Sequence, residues 1–207
     1  MKKLLEFDLQ GHFTSNRLKY SLILALLFVG MLFGAIMGKN AYQNAQNLGL
    51  FDSFVSIYTI NGVTNSEVFI KALISNIRIL MLLWVSGFFV WLCPLNFLTI
   101  FSKGFGIGYV VAYFLNDGGI IGFFVAFTSL LFQNLVILPA FVVYSQIQFD
   151  FSIQYKKLKS SPNRFKQQRH LIQKNILILL IMMLICVISS AIEAYAGNFC
   201  TKLIVQF

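Results

Sequence analysis

Few residues of the 207-residue chain have the types and spacing that catalysis or metal binding requires. The chain contains two histidines, His12 and His170, and seven Asp and Glu residues scattered along it. The sequence has no His-Glu-x-x-His ligand spacing, no paired carboxylates and no Gly-x-Ser-x-Gly nucleophile turn. We therefore expect a protein that is not an enzyme and that holds no metal or cofactor.

Amide side chains inside an apolar stretch could instead act through hydrogen bonds. The sequence FTSLLFQNLVILPAF, residues 127–141, carries Gln133 and Asn134 side by side, with Pro139 about one turn later. Proline has no N–H and clashes with the carbonyl four residues before it, so a helix should kink here. Hydrogen bonding between helices at a kinked contact is one interpretation. A polar transport site at a broken helix is the other.

Three charged residues also stand inside apolar stretches. Arg78 and Glu193 fall at similar predicted depths, which suggests an ion pair between them, because pairing lowers the cost of about 2 to 3 kcal/mol for an isolated charge. The alternative is that each side chain extends towards the lipid headgroups. Lys103 is expected to extend in this way towards the cytoplasmic face.

The composition indicates whether these residues lie in water or in a membrane. The chain is 58% hydrophobic and 11% charged, with a mean hydropathy of +0.78, whereas average soluble chains are about a quarter charged. Apolar runs of about 20 residues predict spanning helices. We predict an all-α, polytopic membrane protein: one domain, residues 1–207, forming a five-helix bundle with peripheral amphipathic helices. The predicted spans are 20–38, 72–92, 95–115, 119–144 and 175–196.

Basic residues predict the orientation of these spans. Eleven of the 16 Lys and Arg residues precede the first span or lie in the basic loop 146–174. By the positive-inside rule, that side is cytoplasmic, so the N-terminus lies inside and the C-terminus outside. Membrane topology therefore accounts for the net charge of +9, and we expect no nucleic-acid partner.

Small residues at four-residue spacing predict close packing of helices. Gly30, Gly34 and Gly38 share one face of the first span, and Gly104 and Gly108 share a face of the third. Such faces let two backbones approach closely. Packing within the chain and packing against a partner's helix are both consistent with this pattern, and a homo-oligomer is left open.

The predicted outside loop, 39–66, has one amphipathic stretch. Its apolar residues recur at the spacing of a helix face, either lying on the membrane or docking an external partner. They are Phe51, Phe54, Val55 and Tyr58. Thr64 and Glu67 then fit a capping box, which predicts that a helix begins there. Asn116 to Gly119 predicts a hairpin turn between the third and fourth spans.

Together these features resemble the stage II sporulation protein M family of endospore-forming bacteria. The resemblance is carried by the chain length, the five spans, the loop 39–66, the sequence FTSLLFQNLVILPAF and the basic loop before the last span. It implies a non-enzymatic membrane component that holds two membrane-anchored peptidoglycan hydrolases, a lytic transglycosylase and an amidase with endopeptidase activity. These would act at the septum, on the mother-cell membrane, during engulfment. The alternative is a transporter or channel-like subunit working with a separate ATPase.

Overall fold

The computed structural model of the protein describes residues 17–44, 64–158, 164–197 and 199. Helix α1 is Arg17–Asn44 and α2 is Asn65–Gly87. A short 3-10 turn, Val90–Leu92, leads into the helical stretch Cys93–Leu158, which Gly119 divides into α3 (93–118) and α4 (120–158). Helix α5 is Arg164–Ile192, followed by a π-helical turn, Glu193–Gly197.

Five helices in this structure are long and apolar enough to cross a membrane. The residues that the structure describes contain no strand. Both findings confirm the predicted all-α, five-span membrane fold. The amphipathic stretch with Phe51, Phe54, Val55 and Tyr58 lies outside the described residues, as does the segment before Arg17, so the peripheral helices predicted there stay predictions.

The chain reverses direction at Gly119, within the predicted hairpin turn. Gly119 has φ 59° and ψ −140°, a conformation that a residue with a Cβ rarely adopts. Helices α3 and α4 then run antiparallel. At their far ends Cys93 Sγ lies 2.9 Å from Ser152 Oγ, and the rings of Phe97 and Phe149 are 6.0 Å apart.

Several helices extend beyond the predicted apolar runs. The capping box is present, since the Glu67 N–H donates a hydrogen bond to Thr64 Oγ1 at 3.3 Å, so α2 begins well before the predicted span 72–92 and ends earlier. Helix α4 runs on to Leu158, so part of the predicted basic loop 146–174 is helical. Hydropathy marks only the part of a helix that crosses lipid, and polar turns can continue it into water.

The core is formed by apolar side chains from all five helices. Leu80, Leu83, Ile137, Phe141 and Cys186 are fully buried, and the remaining core residues pack around them. The outward faces carry exposed leucine, isoleucine and phenylalanine side chains. In a membrane protein these faces contact lipid, so exposed apolar residues are expected there. Polar groups within the spans are the residues that suggest a function.

Candidate partner-binding surfaces in the membrane

The three glycines of α1 lie directly against the backbone of α3. A Cβ added at Gly30, Gly34 or Gly38 would come within 3.0 Å of a carbonyl oxygen of α3. Those oxygens belong to Phe101, Phe105 and Tyr109 respectively. Side chains at these positions would therefore force the two helices apart, and the stripe explains why the backbones can approach so closely.

The glycines of α3 complete the same contact from the other side. A Cβ at Gly104 would meet the carbonyl oxygen of Leu27, and one at Gly108 that of Met31. Contacts ascend in the same order along both helices, so α1 and α3 pack in parallel. The structure thus places all five predicted glycines in a contact within the chain.

A row of aromatic rings runs along α3 beside this contact. Phe101, Phe105, Tyr109 and Tyr113 stack in sequence with centroid separations of 6.5, 6.1 and 6.3 Å. Tyr42 of α1 meets the last ring edge-on at 5.9 Å. These rings were not among the predicted contact residues, although their four-residue spacing matches that of the glycines. They extend the α1–α3 contact towards the Gly119 end of the bundle.

The side chain of Asn134 bonds within its own helix. Asn134 Nδ2 donates to the Leu130 carbonyl at 2.8 Å, and its buried Oδ1 has no hydrogen-bond partner among the described residues. The interhelical hydrogen bond expected at this position is therefore not formed by Nδ2. The side chain of Gln133 lies outside the described residues.

The helix is also not interrupted at Pro139. Gly119 is the residue with non-helical φ and ψ inside Cys93–Leu158, and helical geometry continues through Pro139. A groove of about 370 Å³ lies beside it, between α1 and α4. Apart from Asn134 and the Tyr20 hydroxyl, its walls are hydrocarbon, with Leu24, Phe28 and Leu135 exposed on its rim. The kink angle stays a prediction.

Arg78 and Glu193 do not pair, so that prediction was wrong. Arg78 is exposed on the outward side of α2, and none of the described acidic residues forms a salt bridge with it. Its neighbour Asn76 faces inward, where Nδ2 donates to Ser190 Oγ at 3.3 Å. Two residues apart on a helix point in nearly opposite directions, so Arg78 and Asn76 cannot share a face.

Glu193 and Lys103 lie close enough to affect each other electrostatically, but they form no salt bridge. Glu193 lies in the π-helical turn, Lys103 is half-buried, and each is within Coulombic range of the other. Lys103 is also within range of Cys186, which is fully buried. Lys103 therefore packs partly against the bundle, and its expected extension towards the cytoplasmic headgroups stays a prediction. One oxygen of Glu193, Oε2, is buried without a hydrogen-bond partner among the described residues.

Buried amides that sequence analysis did not single out join α4 to α5. Gln148 Nε2 donates to Asn175 Oδ1 at 2.8 Å, and Asn175 Nδ2 donates back to Gln148 Oε1 at 3.3 Å. A second buried hydrogen bond joins α2 to α3, because Ser86 Oγ donates to Asn96 Oδ1. Gln148 falls in the predicted basic loop 146–174, so its place in a buried contact could not be found from the sequence, and the partner of an amide cannot be read from one sequence.

A charged contact closes the same end of the bundle. Lys19 Nζ lies 2.9 Å from Asp150 Oδ1, and Gln146 Nε2 donates to the other carboxylate oxygen at 3.0 Å. The ammonium also lies 5.7 Å from the centre of the Phe149 ring. These contacts join α1 to α4 at the end of the bundle where both helices leave the apolar layer.

The described residues contain no group of three or more His, Cys, Asp or Glu side chains that could hold a metal ion. Among the described residues, the candidate binding surfaces are the groove beside Asn134 and the outward face of α2 around Arg78.

Comparison with known proteins gives one match. Residues 23–197 match the family described as Stage II sporulation protein M. No curated protein and no solved structure matches. The family match covers most of the chain: all of α2 to α5, and α1 from residue 23 onwards.

Proposed function

Because the chain belongs to the stage II sporulation protein M family, a family of sporulation-related membrane proteins, we propose that it is a non-enzymatic scaffold for cell-wall hydrolases. It recruits a membrane-anchored lytic transglycosylase and an amidase with endopeptidase activity to the septal membrane during engulfment. The observation that carries the proposal is the match over residues 23–197. The architecture supports it, since the helices present intramembrane surfaces to which a single-span partner could bind.

The proposal includes an orientation. The N-terminus lies in the mother-cell cytoplasm and the C-terminus outside, which places the segment between α1 and α2 on the side where wall hydrolases act. Lys156 and Lys157 end α4 on the opposite side. Basic residues at that end favour the cytoplasmic assignment.

The structure gives less support to transport. A transport site of the broken-helix type requires an unwound backbone near the middle of the membrane. Around Asn134 the helical geometry is continuous, and the adjacent groove has mainly hydrocarbon walls with exposed side chains at its rim. A scaffold needs no such break.

Affinity purification in mild detergent from cells in early engulfment tests the proposal. We expect two single-span wall hydrolases at near-stoichiometric yield, identified by quantitative mass spectrometry. An unrelated five-span protein with the same tag is the control for detergent carry-over. A nucleotide-binding ATPase without hydrolases would contradict the scaffold and favour transport, which Asn134→Leu would then test in a liposome flux assay.

A further inference from the structure

We propose that the outward face of α2 binds a transmembrane helix of another protein, and that this helix carries an Asp or Glu that pairs with Arg78 in the middle of the membrane. The inference deepens the proposed function and rests on it for the kind of protein that supplies the helix. Its physical basis is a charge that the described residues leave uncompensated.

Arg78 lies near the middle of its helix, inside the apolar part between Lys71 and Gly87. Helix α2 rises about 13 Å from Arg78 to Gly87 and about 10 Å from the exposed Lys71 to Arg78, against an apolar layer about 30 Å thick. Trp91, 92% exposed just beyond the Gly87 end, is the kind of side chain that marks an interface. A side chain starting at this depth cannot place its charge fully in water without distorting the bilayer.

The surroundings of Arg78 are exposed and apolar. Ile74 and Leu82, one turn before and one turn after it, are 53% and 46% exposed. Ile70 and Val85 continue the same outward face. A partner helix could lie along this face and bury hydrocarbon on both sides of the charge.

The chain's own acids do not supply the counter-charge. Asp150 bonds Lys19, Glu193 lies in the π-helical turn after α5 and forms no salt bridge with Arg78, Glu67 lies in the first turn of α2, and Asp117 lies beside the Gly119 turn. The other three acids, Glu6, Asp8 and Asp52, lie outside the described residues. None of the described acids sits on an exposed face at mid-membrane, so a second copy offers no matching carboxylate from these residues either.

A carboxylate is the group that fits best. The guanidinium is planar, stays charged, and can donate two parallel hydrogen bonds to one carboxylate. Lipid phosphates carry negative charge but lie in the headgroup layer. Between hydrocarbon walls the attraction between opposite charges is far stronger than in water, which makes the pair selective for an acidic helix.

Synthetic single-span peptides test the inference with purified protein in liposomes of zwitterionic lipid. One peptide is Leu-rich with a central Asp, and its match has Leu at that position. Energy transfer between labelled protein and peptide should show the Asp peptide binding at least about tenfold more tightly. Arg78→Leu should remove this preference, while Lys71→Leu, an exposed cation nearer the Asn65 end of α2, should keep it.

Charge reversal and lipid composition complete the test. Arg78→Asp should prefer a peptide with a central Arg. Equal binding of the two original peptides, or equal loss in the Arg78→Leu and Lys71→Leu variants, would overturn the inference. So would loss of the Asp preference when phosphatidylglycerol is added, because the cation would then belong to anionic lipid.

Purification from engulfing cells separates this inference from the proposed function. Capture of hydrolases by wild type but not by Arg78→Leu supports both. Equal capture by both variants overturns the inference and leaves the scaffold standing. If wild type captures no hydrolase while the peptide preference holds, the scaffold fails and the acid-binding face stands.

Discussion

The α1–α3 contact and the outward face of α2 both contain residues that ordinary lipid-facing helices avoid, but they use them in opposite ways. The glycines of α1 pack against the backbone of α3, and those of α3 against the backbone of α1, so all of these contacts lie within the chain. Arg78 has no counter-charge among the described residues. A small-residue stripe is satisfied by any helix that packs closely, including one from the same chain. A charge on a lipid-facing surface needs an opposite charge, so it says more about a partner.

Overpacking the glycine contact should produce the largest change in the free energy of unfolding. Gly108→Leu would drive a side chain into the Met31 carbonyl and should destabilise the protein by at least about 3 kcal/mol, the upper range for overpacking. Reversible unfolding in mixed micelles measures this change.

Gly106 is a matched control on the same helix. An added Cβ there meets nothing within 4 Å, so Gly106→Leu should be neutral or stabilise by up to about 1 kcal/mol through helix propensity. Equal destabilisation by Gly106→Leu and Gly108→Leu would show that the contact is not what the structure describes.

Removing the charge on α2 should make this helix easier to insert into the membrane. Arg78→Leu should ease membrane insertion of α2 by about 2 to 3 kcal/mol, because Arg is strongly disfavoured at a helix centre. A translocon insertion assay on α2 measures this, and Lys71→Leu should give a smaller gain because it lies nearer the helix end. An unchanged or poorer insertion of Arg78→Leu would contradict the mid-membrane placement.

The amide pair between α4 and α5 is a filled polar contact, and it should be worth less than the glycine contact. A double-mutant cycle with Gln148→Leu and Asn175→Leu should give a coupling of about 0.6 to 1.7 kcal/mol, the range found for such bonds in membranes. Gln154, exposed on the same helix, is the control, and Gln154→Leu should show no coupling to Asn175→Leu. Zero coupling between Gln148→Leu and Asn175→Leu would show that this pair does not stabilise the contact between α4 and α5.

The smallest effect should come from the charged pair that is already compensated. The side chains of Lys19 and Asp150 are 43% and 20% exposed, so Lys19→Met should cost less than about 1 kcal/mol, and salt should reduce that effect further. Unfolding at low and high ionic strength measures it. A loss of several kcal/mol would mean that α1 is held mainly at this end and not by its glycines.

The sequence predicts the elements well because hydropathy, caps and turns are local signals. The five spans, the helix start after Thr64 and the reversal at Gly119 follow from residues that are close in the chain. Glycine spacing likewise predicts a close contact. It cannot say which helix provides the other side, because every apolar helix is an acceptable partner for a small-residue face.

The polar contacts could not be predicted because they depend on helix rotation and on the true helix ends. Arg78 and Glu193 were matched by depth counted from an apolar run that begins at residue 72, whereas α2 begins at Asn65. That shift puts Arg78 near the helix centre, and the rotation that buries Asn76 turns Arg78 outward. Long-range packing fixes this rotation, and no short stretch of sequence contains it.

Site-specific photo-crosslinking in engulfing cells tests whether the outward face of α2 binds a wall hydrolase. A photoreactive residue at Ile74, one turn from Arg78, reports on the outward face of α2, and one at Leu32, 65% exposed, reports on the lipid-facing side of α1. We expect a cross-link from position 74 to a single-span wall hydrolase, with little or none from position 32. Hydrolase cross-links from position 32 alone, or equally from both, would contradict it.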